Sequence, residues 1–357
     1  MKQYVIASLL AICLMSHVLG AVVISPEQMQ AVYEEIKTPY KYGVVIPAPA
    51  GKKVDCPTVF RHEDHWYMVY VQLEEKPRDG YTTQLARSKD LLHWTTLGTI
   101  VERGAANTWD QANAGGGIAL ADTQWAGQGT LGSFEGRYWL TYIGGDKYGY
   151  ESIPLSIGLA STNDPSAARP WRRRGRPIMT VHDADARDFE SGTLYKSFVM
   201  EDPDARFGAR FIMFYNAKPA NGNEQIAMAV SEDLHSWKRY GDGPVIVNRK
   251  QSTPNRGAIS GDPQIVRMNE LWVMFYFGAF WKPKAFDTFA VSKDLVHWTK
   301  WDGPHLIEPS EPWDQTFAHK PWILKHQGVV YHFYCAVGDQ GRVIALATSK
   351  PMGNRED

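Results

Sequence analysis

What is scarce in this chain narrows its class before any motif is considered. There are three cysteines in 357 residues. Cys13 falls in the first apolar run, which leaves Cys56 and Cys335 far apart in sequence. Two such cysteines make no disulfide scaffold and are expected as buried free thiols. No Cys/His spacing matches a zinc site, and neither metal nor cofactor is expected. Excess charge is missing too: 38 Lys and Arg face 39 Asp and Glu. Composition therefore gives no support to a nucleic-acid or acidic-membrane partner. The one basic run, "RPWRRRGRP" from Arg169 to Pro177, reads as a solvated loop. Long apolar runs are absent as well. Past the first residues nothing approaches the about 20 apolar residues of a membrane span, so no span is expected in the mature chain.

The N-terminus has its own pattern. Lys2 precedes an apolar run from Tyr4 to Met15, and small residues follow around Gly20 and Ala21. This order reads as a secretory signal peptide over residues 1–20, giving a secreted or periplasmic protein. Lipid anchoring through Cys13 is disfavoured by Ile12 in front of it. Helix signals are few. Only "PEQMQAVYEEIK", Pro26 to Lys37, reads as a helix, with Ser25 as N-cap, Pro26 at the first position and Thr38-Pro39 as the stop.

What is abundant is aromatic, glycine and proline, the composition of short strands and turns. Three heptapeptides nearly repeat: "SKDLLHW" from Ser88, "SEDLHSW" from Ser231 and "SKDLVHW" from Ser292, with degenerate copies from Ser161 and Thr348. Upstream of each lies an alternating strand that carries a tyrosine: Tyr70, Tyr142, Tyr215, Tyr276 and Tyr334. Further upstream stand "DCPTVFR", "AGGGIAL", "ESGTLYK", "GDPQIVR" and "HKPWILK". The period is roughly 57 to 73 residues, longer than the about 40–45 of a typical propeller blade but sufficient for four strands with loops. The expected fold is all-β, a five-bladed β-propeller over residues 55–357, preceded by a helix and lead-in segment over 21–54. Within "SxDLxxW", Asp is read as capping a turn and Trp as wedging between blades.

Function is sought where the repeats differ. The first strand of each blade lines the axis, so its opening residues ring one mouth. On this alignment Asp55, Ala114, Glu190, Gly261 and His319 are equivalent, followed by Cys56, Gly115, Ser191, Asp262 and Lys320. Asp55, Glu190 and Asp262 would then converge from three blades. Converging, partly desolvated carboxylates separate in proton affinity, which is what acid/base cleavage of a glycosidic bond requires. "WDQ" occurs twice, at Trp109-Asp110-Gln111 and Trp313-Asp314-Gln315. These loops can rim the funnel, with Trp on a sugar face and Asp accepting hydroxyls, or can be a repeated turn that packs Trp between blades. His319, Lys320 and Trp281 are further candidates for substrate binding.

The "VDCPTVFR" and "DFESGTLYK" strands with the "SKDLxHW" exits resemble the five-bladed propeller glycoside hydrolases, family 43 and its relatives in families 32, 62, 68, 117 and 130. The resemblance implies a hydrolase acting on a carbohydrate, with Asp55 as general base and Glu190 as general acid. The family's third acid belongs on the second blade, where "NAGGGIAL" has none, so Asp110 or Asp262 is the candidate. The expected activity is an exported, exo-acting, inverting hydrolase of plant or algal saccharides. Alternatives are a non-catalytic carbohydrate-binding propeller and a family 130-like phosphorylase.

Overall fold

Five four-stranded antiparallel sheets are arranged in the order in which the sequence repeats. The structure is a computed structural model and describes residues 23–74, 79–248 and 257–353. The segment read as an export signal, with Cys13, lies outside the described residues. Helix α1 (Pro26–Ile36) has the expected capping box, with Ser25 and Gln28 exchanging hydrogen bonds. Its apolar face, Met29, Val32 and Ile36, packs on Val266, Phe275 and Ile323.

Strand β1 (Tyr40–Ile46) follows. The first blade is β2 (Lys52–His62), β3 (His65–Glu74), β4 (Gly80–Ser88) and β5 (Thr95–Val101). The second is β6 (Asn113–Ile118), β7 (Tyr138–Gly145), β8 (Ser156–Thr162) and β9 (Arg172–Arg173). The third is β10 (Thr193–Glu201), β11 (Phe211–Lys218), β12 (Gln225–Ser231) and β13 (Lys238–Tyr240). The fourth is β14 (Ile259–Met268), β15 (Leu271–Ala279), β16 (Ala285–Ser292) and β17 (Thr299–Lys300). The fifth holds β18 (Phe317–His326), β19 (Val329–Gly338) and β20 (Gly341–Thr348). Its outer strand is β1, paired antiparallel with β20. The segment read as a lead-in thus completes the last blade and closes the ring.

The "SxDLxxW" unit is a turn. Asp90 Oδ1 accepts from the backbone of Leu92 and His93, and Trp94 Nε1 donates to Leu91 O. The same bonds recur at Asp233 and Asp294. Trp94 meets Phe333 of the fifth blade edge-on, and Trp298 meets Phe214 of the third, so both rings sit between blades.

Inside three blades the repeated tyrosine donates to a buried acid in the loop before the inner strand. Tyr142 serves Asp110 at 2.9 Å, Tyr215 serves Glu190 at 2.6 Å and Tyr334 serves Asp314 at 2.8 Å. A cation from the outermost strand joins each acid: Arg173, Arg239 and Lys41. The basic run is therefore partly structural, since Arg173 belongs to it. In the first blade Tyr70 meets Thr96 instead. In the fourth, the buried Tyr276 hydroxyl has no partner among the described residues.

One end of the axis is sealed. The segment between β6 and β7 crosses beneath the inner strands. Arg61 N donates to Gly129 O at 2.7 Å, Trp125 N to Arg267 O at 3.0 Å, and Leu120 N to Val199 O at 2.9 Å. The crossing segment thus contacts blades one, four and three. Trp125 Nε1 also reaches Glu35 of α1. The opposite end is open.

The tyrosine pins yield a stability test. Tyr142→Phe and Tyr334→Phe each remove a hydrogen bond to a charged acceptor and should cost about 1.5–3 kcal/mol. Tyr276→Phe removes a hydroxyl that has no partner and should change stability by less than about 0.5 kcal/mol or raise it. Urea unfolding reads all three; equal losses in all would overturn the pin as the source of the difference.

Candidate active site

The open end holds a cavity of about 810 Å³ lined from every blade. Its wall carries a shared backbone irregularity. The pairing of first and second strands slips between Asp55 and Thr58, Leu194 and Ser197, Gly261 and Gln264, and His319 and Trp322. Three of these bulges place a residue before proline at positive φ: Cys56 at 51°, Asp262 at 54° and Lys320 at 64°. A non-glycine residue there is held against its own preference, a pattern associated with re-aimed side chains. All three line the cavity, as does Tyr195 within the bulge of the third blade.

The bulges also correct the alignment. Leu194, not Glu190, occupies the third blade's equivalent of the bulge start. Glu190 belongs four residues earlier, in a 3₁₀ turn Asp188–Glu190 that matches Pro312–Asp314 in the fifth blade. It is fully buried and does not line the cavity. Arg187, Arg239 and Tyr215 take its oxygens. A proton donor must reach substrate, and Glu190 is enclosed by its own blade.

The same holds for the "WDQ" residues. Trp109 stacks on Tyr142, and a Cβ at Gly144 would lie 2.3 Å from its ring, so it is packed within the blade. Asp110 is held by Tyr142, Thr108 and Arg173. Trp313 donates to Tyr334 Oη, and Asp314 accepts from Tyr334 and Lys41. None of the four lines the cavity. The alternative reading, a repeated structural turn, describes them. Trp281 is engaged with Ile259 O and Phe286 and is not a wall residue either.

Asp55 lies behind the wall. Lys320 Nζ is 2.9 Å and Arg342 Nη1 2.7 Å from its Oδ2. Burial opposes its charge, but Lys320 and Arg342 outweigh burial and hold the carboxyl well below the usual carboxylate range. A carboxylate so stabilised is a poor proton acceptor, which argues against Asp55 as general base. His319 does face the cavity. Burial, with Arg342 and Lys320 nearby, lowers its pKa to about 3. It is therefore neutral at physiological pH. Its Nδ1 lies 3.1 Å from Cys335 O, which fixes that nitrogen as the donor and leaves Nε2 to accept a hydroxyl. Cys56 and Cys335 are free thiols, and Cys56 Sγ donates to Asp262 Oδ2.

Asp262 is in the wall, as the sequence suggested, and two acids that the alignment missed stand with it. Glu224 and Glu151 lie in the loops joining second and third strands of blades three and two. Antiparallel pairing brings these loops to the mouth, because the end of each second strand lies beside the start of the first, as Asn113 lies beside Gly145. The clue in the sequence was a long loop, "DKYGYESIP", where the repeat closes in two residues in the fifth blade.

Glu224 is 5% exposed and accepts from Asn216 Nδ2 at 2.8 Å. Asn216 also bonds Asp262, through the Asp262 backbone N–H at 3.0 Å and Oδ1 at 3.3 Å. Burial and the neighbouring Glu151 charge push Glu224 up to about 8. Glu151 is more open, with a side chain 29% exposed, and lies 3.9 Å from Lys320 Nζ. One carboxyl that keeps its proton at neutral pH faces another at the solvent side.

A propeller with one sealed end and acids of unlike environment around the open one has the groups that acid/base cleavage of a glycosidic bond requires. Solved structures agree. The BT0996 protein, solved as a complex with RGII, is 46% identical, with a TM-score of 0.88 over 94% of this sequence and 98% of that one. A structure named as a glycoside hydrolase is also 46% identical, with a TM-score of 0.89 over the same shares. A thermostable family-43 glycoside hydrolase shares the fold at 15% identity and a TM-score of 0.61, over 89% of this sequence and all of that one. No family model and no curated protein sequence matches. The protein belongs to the five-bladed β-propeller glycoside hydrolases.

Two outcomes separate structural from chemical acids. Glu190→Gln should destabilise the fold by about 3 kcal/mol, since Arg187 and Arg239 lose their buried counter-charge. Activity per folded molecule should hold; a loss there without unfolding would return Glu190 to the chemistry. Glu224 binds a proton in the folded state that the unfolded chain releases near pH 4.5. The stability from that proton is complete below pH 4.5 and is lost as pH rises through about 8. Thermal melts of wild type and Glu224→Gln should therefore diverge as pH rises, with the variant gaining on the wild type. Parallel pH curves would contradict the buried, protonated state.

Proposed function

We propose that the protein is an exo-acting, inverting glycoside hydrolase in which Glu224 is the general acid and Glu151 the general base. The observation that carries this is Glu224 itself: a cavity-wall carboxyl, buried and bonded to Asn216, which is protonated at neutral pH. Its proton passes to the departing glycosidic oxygen as the bond to the anomeric carbon breaks. Glu151, open to solvent, takes a proton from the water that adds to that carbon. Asp262 positions Glu224 through Asn216, which bonds both. His319 Nε2 and the walls of the cavity accept sugar hydroxyls.

The sealed base supports the exo reading, since a closed pocket admits the end of a saccharide rather than its middle. A carbohydrate ligand is supported by the similar BT0996 protein, solved as a complex with RGII. Plant or algal side-chain oligosaccharides are therefore the substrates proposed, with RGII oligosaccharides the first to test. Export is part of this proposal, on the basic-then-apolar order of residues 1–20.

The test is a screen of oligosaccharides and aryl glycosides with wild type, Glu224→Gln and Glu151→Gln. Each variant should lose about 10²–10⁴ in kcat on natural substrates. An activated aryl leaving group should restore Glu224→Gln and not Glu151→Gln. The wild-type rate should fall as pH rises through about 8, and proton NMR of the first product should show inverted anomeric configuration. Unchanged rates in both variants would sink the assignment of the acids; a retained configuration would replace the base with a nucleophile.

A further inference from the structure

Four cations line the cavity, and three of them have carboxylate partners. Lys196 Nζ lies 3.7 Å from Asp262 Oδ2, while Lys320 and Arg342 share Asp55. Lys218, the last residue of β11, has no carboxylate within ion-pair distance among the described residues. Its ammonium instead stands 5.2 Å from the centre of the Tyr195 ring. Tyr195 is the second half of the observation. It is 5% exposed, lines the cavity, and its hydroxyl has no hydrogen-bond partner among the described residues. Burying a phenol without a partner is costly, and such a group in a binding cavity is a donor waiting for an acceptor. Tyr195 lines the same cavity as Glu224, Glu151 and Lys320.

An ammonium and a phenolic O–H from adjacent positions are two donors, one of them charged. A sugar hydroxyl satisfies Tyr195 but leaves Lys218 without a counter-charge, since its neighbour Glu224 keeps its proton at neutral pH. A phosphate dianion brings two charges to one uncommitted cation. A carboxylate has one charge and two acceptor oxygens, which matches both donors. We propose that Lys218 and Tyr195 form a subsite for the carboxylate of an acidic sugar, so that the substrate carries a uronic-acid-type unit at or next to the cleaved bond. This rests on the glycosidase reading only for the carbohydrate nature of the ligand.

The experiment reads binding without turnover. Titration calorimetry on wild type and Glu224→Gln compares galacturonate and glucuronate with their methyl esters and with galactose and glucose, and includes inorganic phosphate. The free acids should bind about tenfold tighter than their esters, the gain expected of one charge-assisted hydrogen bond. Lys218→Gln should bring that ratio to about one, and Lys218→Arg should keep most of it. Equal affinity for acid and ester would overturn the proposal. So would an acid preference that survives Lys218→Gln, or phosphate binding tighter than either uronate. A protein that cleaves no glycoside can still show the acid preference, so failure of the hydrolase assignment and failure of the subsite are told apart.

Discussion

The structure depends on the seam between its last and first blades. A ring of separate sheets has one junction that chain continuity does not make, and here it is closed twice. At the rim, β1 pairs with β20, so the beginning of the propeller becomes the outer strand of its final blade. At the axis, Asp55 of the first blade accepts from Lys320 and Arg342 of the fifth. Trp94 against Phe333 fills the space between. Removing one partner from a buried ion cluster is far costlier than the net value of the cluster, so this clasp holds geometry more than it adds stability. Lys320 and Arg342 are cavity walls, and their positions follow from it.

Acids in this protein therefore do two jobs that composition does not distinguish. Asp110, Glu190 and Asp314 are each held by a tyrosine and an outer-strand cation of the same blade. They recur because a blade needs its loop tied to its outer strand. Glu224 has an amide for a partner and a like charge nearby, so burial is not offset and its proton stays. Asp55 is as buried as Glu224 and moves the opposite way because two cations face it. Burial raises both carboxyls, and only at Asp55 do adjacent cations outweigh it.

This explains what was legible in the sequence. The five-fold repeat, the helix cap at Ser25 and the "SxDLxxW" turn could be read because each is a local pattern with a local cause. The mouth positions of Asp262, His319 and Lys320 were legible for the same reason, as they precede or join the "xP" of an inner strand. Glu190 misled because its blade lacks that proline: "ESGTLYK" aligns by its apolar residues to either register, and a shift of four residues turns a structural turn into a mouth. Glu151 and Glu224 were not legible, since they lie in loops that the repeat does not share. Which of those loops reach the axis depends on blade closure, a property of the whole ring.

The division between repeated and unrepeated acids has a consequence for how such a fold changes its chemistry. Residues of the pins and the clasp are tied to several strands at once, and substituting one leaves buried charge behind. Glu151 and Glu224 lie in loops; the Glu224 backbone is anchored to Ala258 and Ser260, but its side chain bonds Asn216 alone among the described residues. In four of the five blades one bulge residue also sets the cavity's character: Cys56, Tyr195, Asp262 and Lys320 occupy corresponding bulges and differ in chemistry. The bulge recurs with four different side chains, and in the third blade without the proline, so strand pairing holds it. Specificity can then be altered at the Cys56 and Tyr195 bulges without replacing an acid or a seam residue, whereas Asp262 is bonded to Asn216 beside Glu224 and Lys320 is part of the clasp on Asp55.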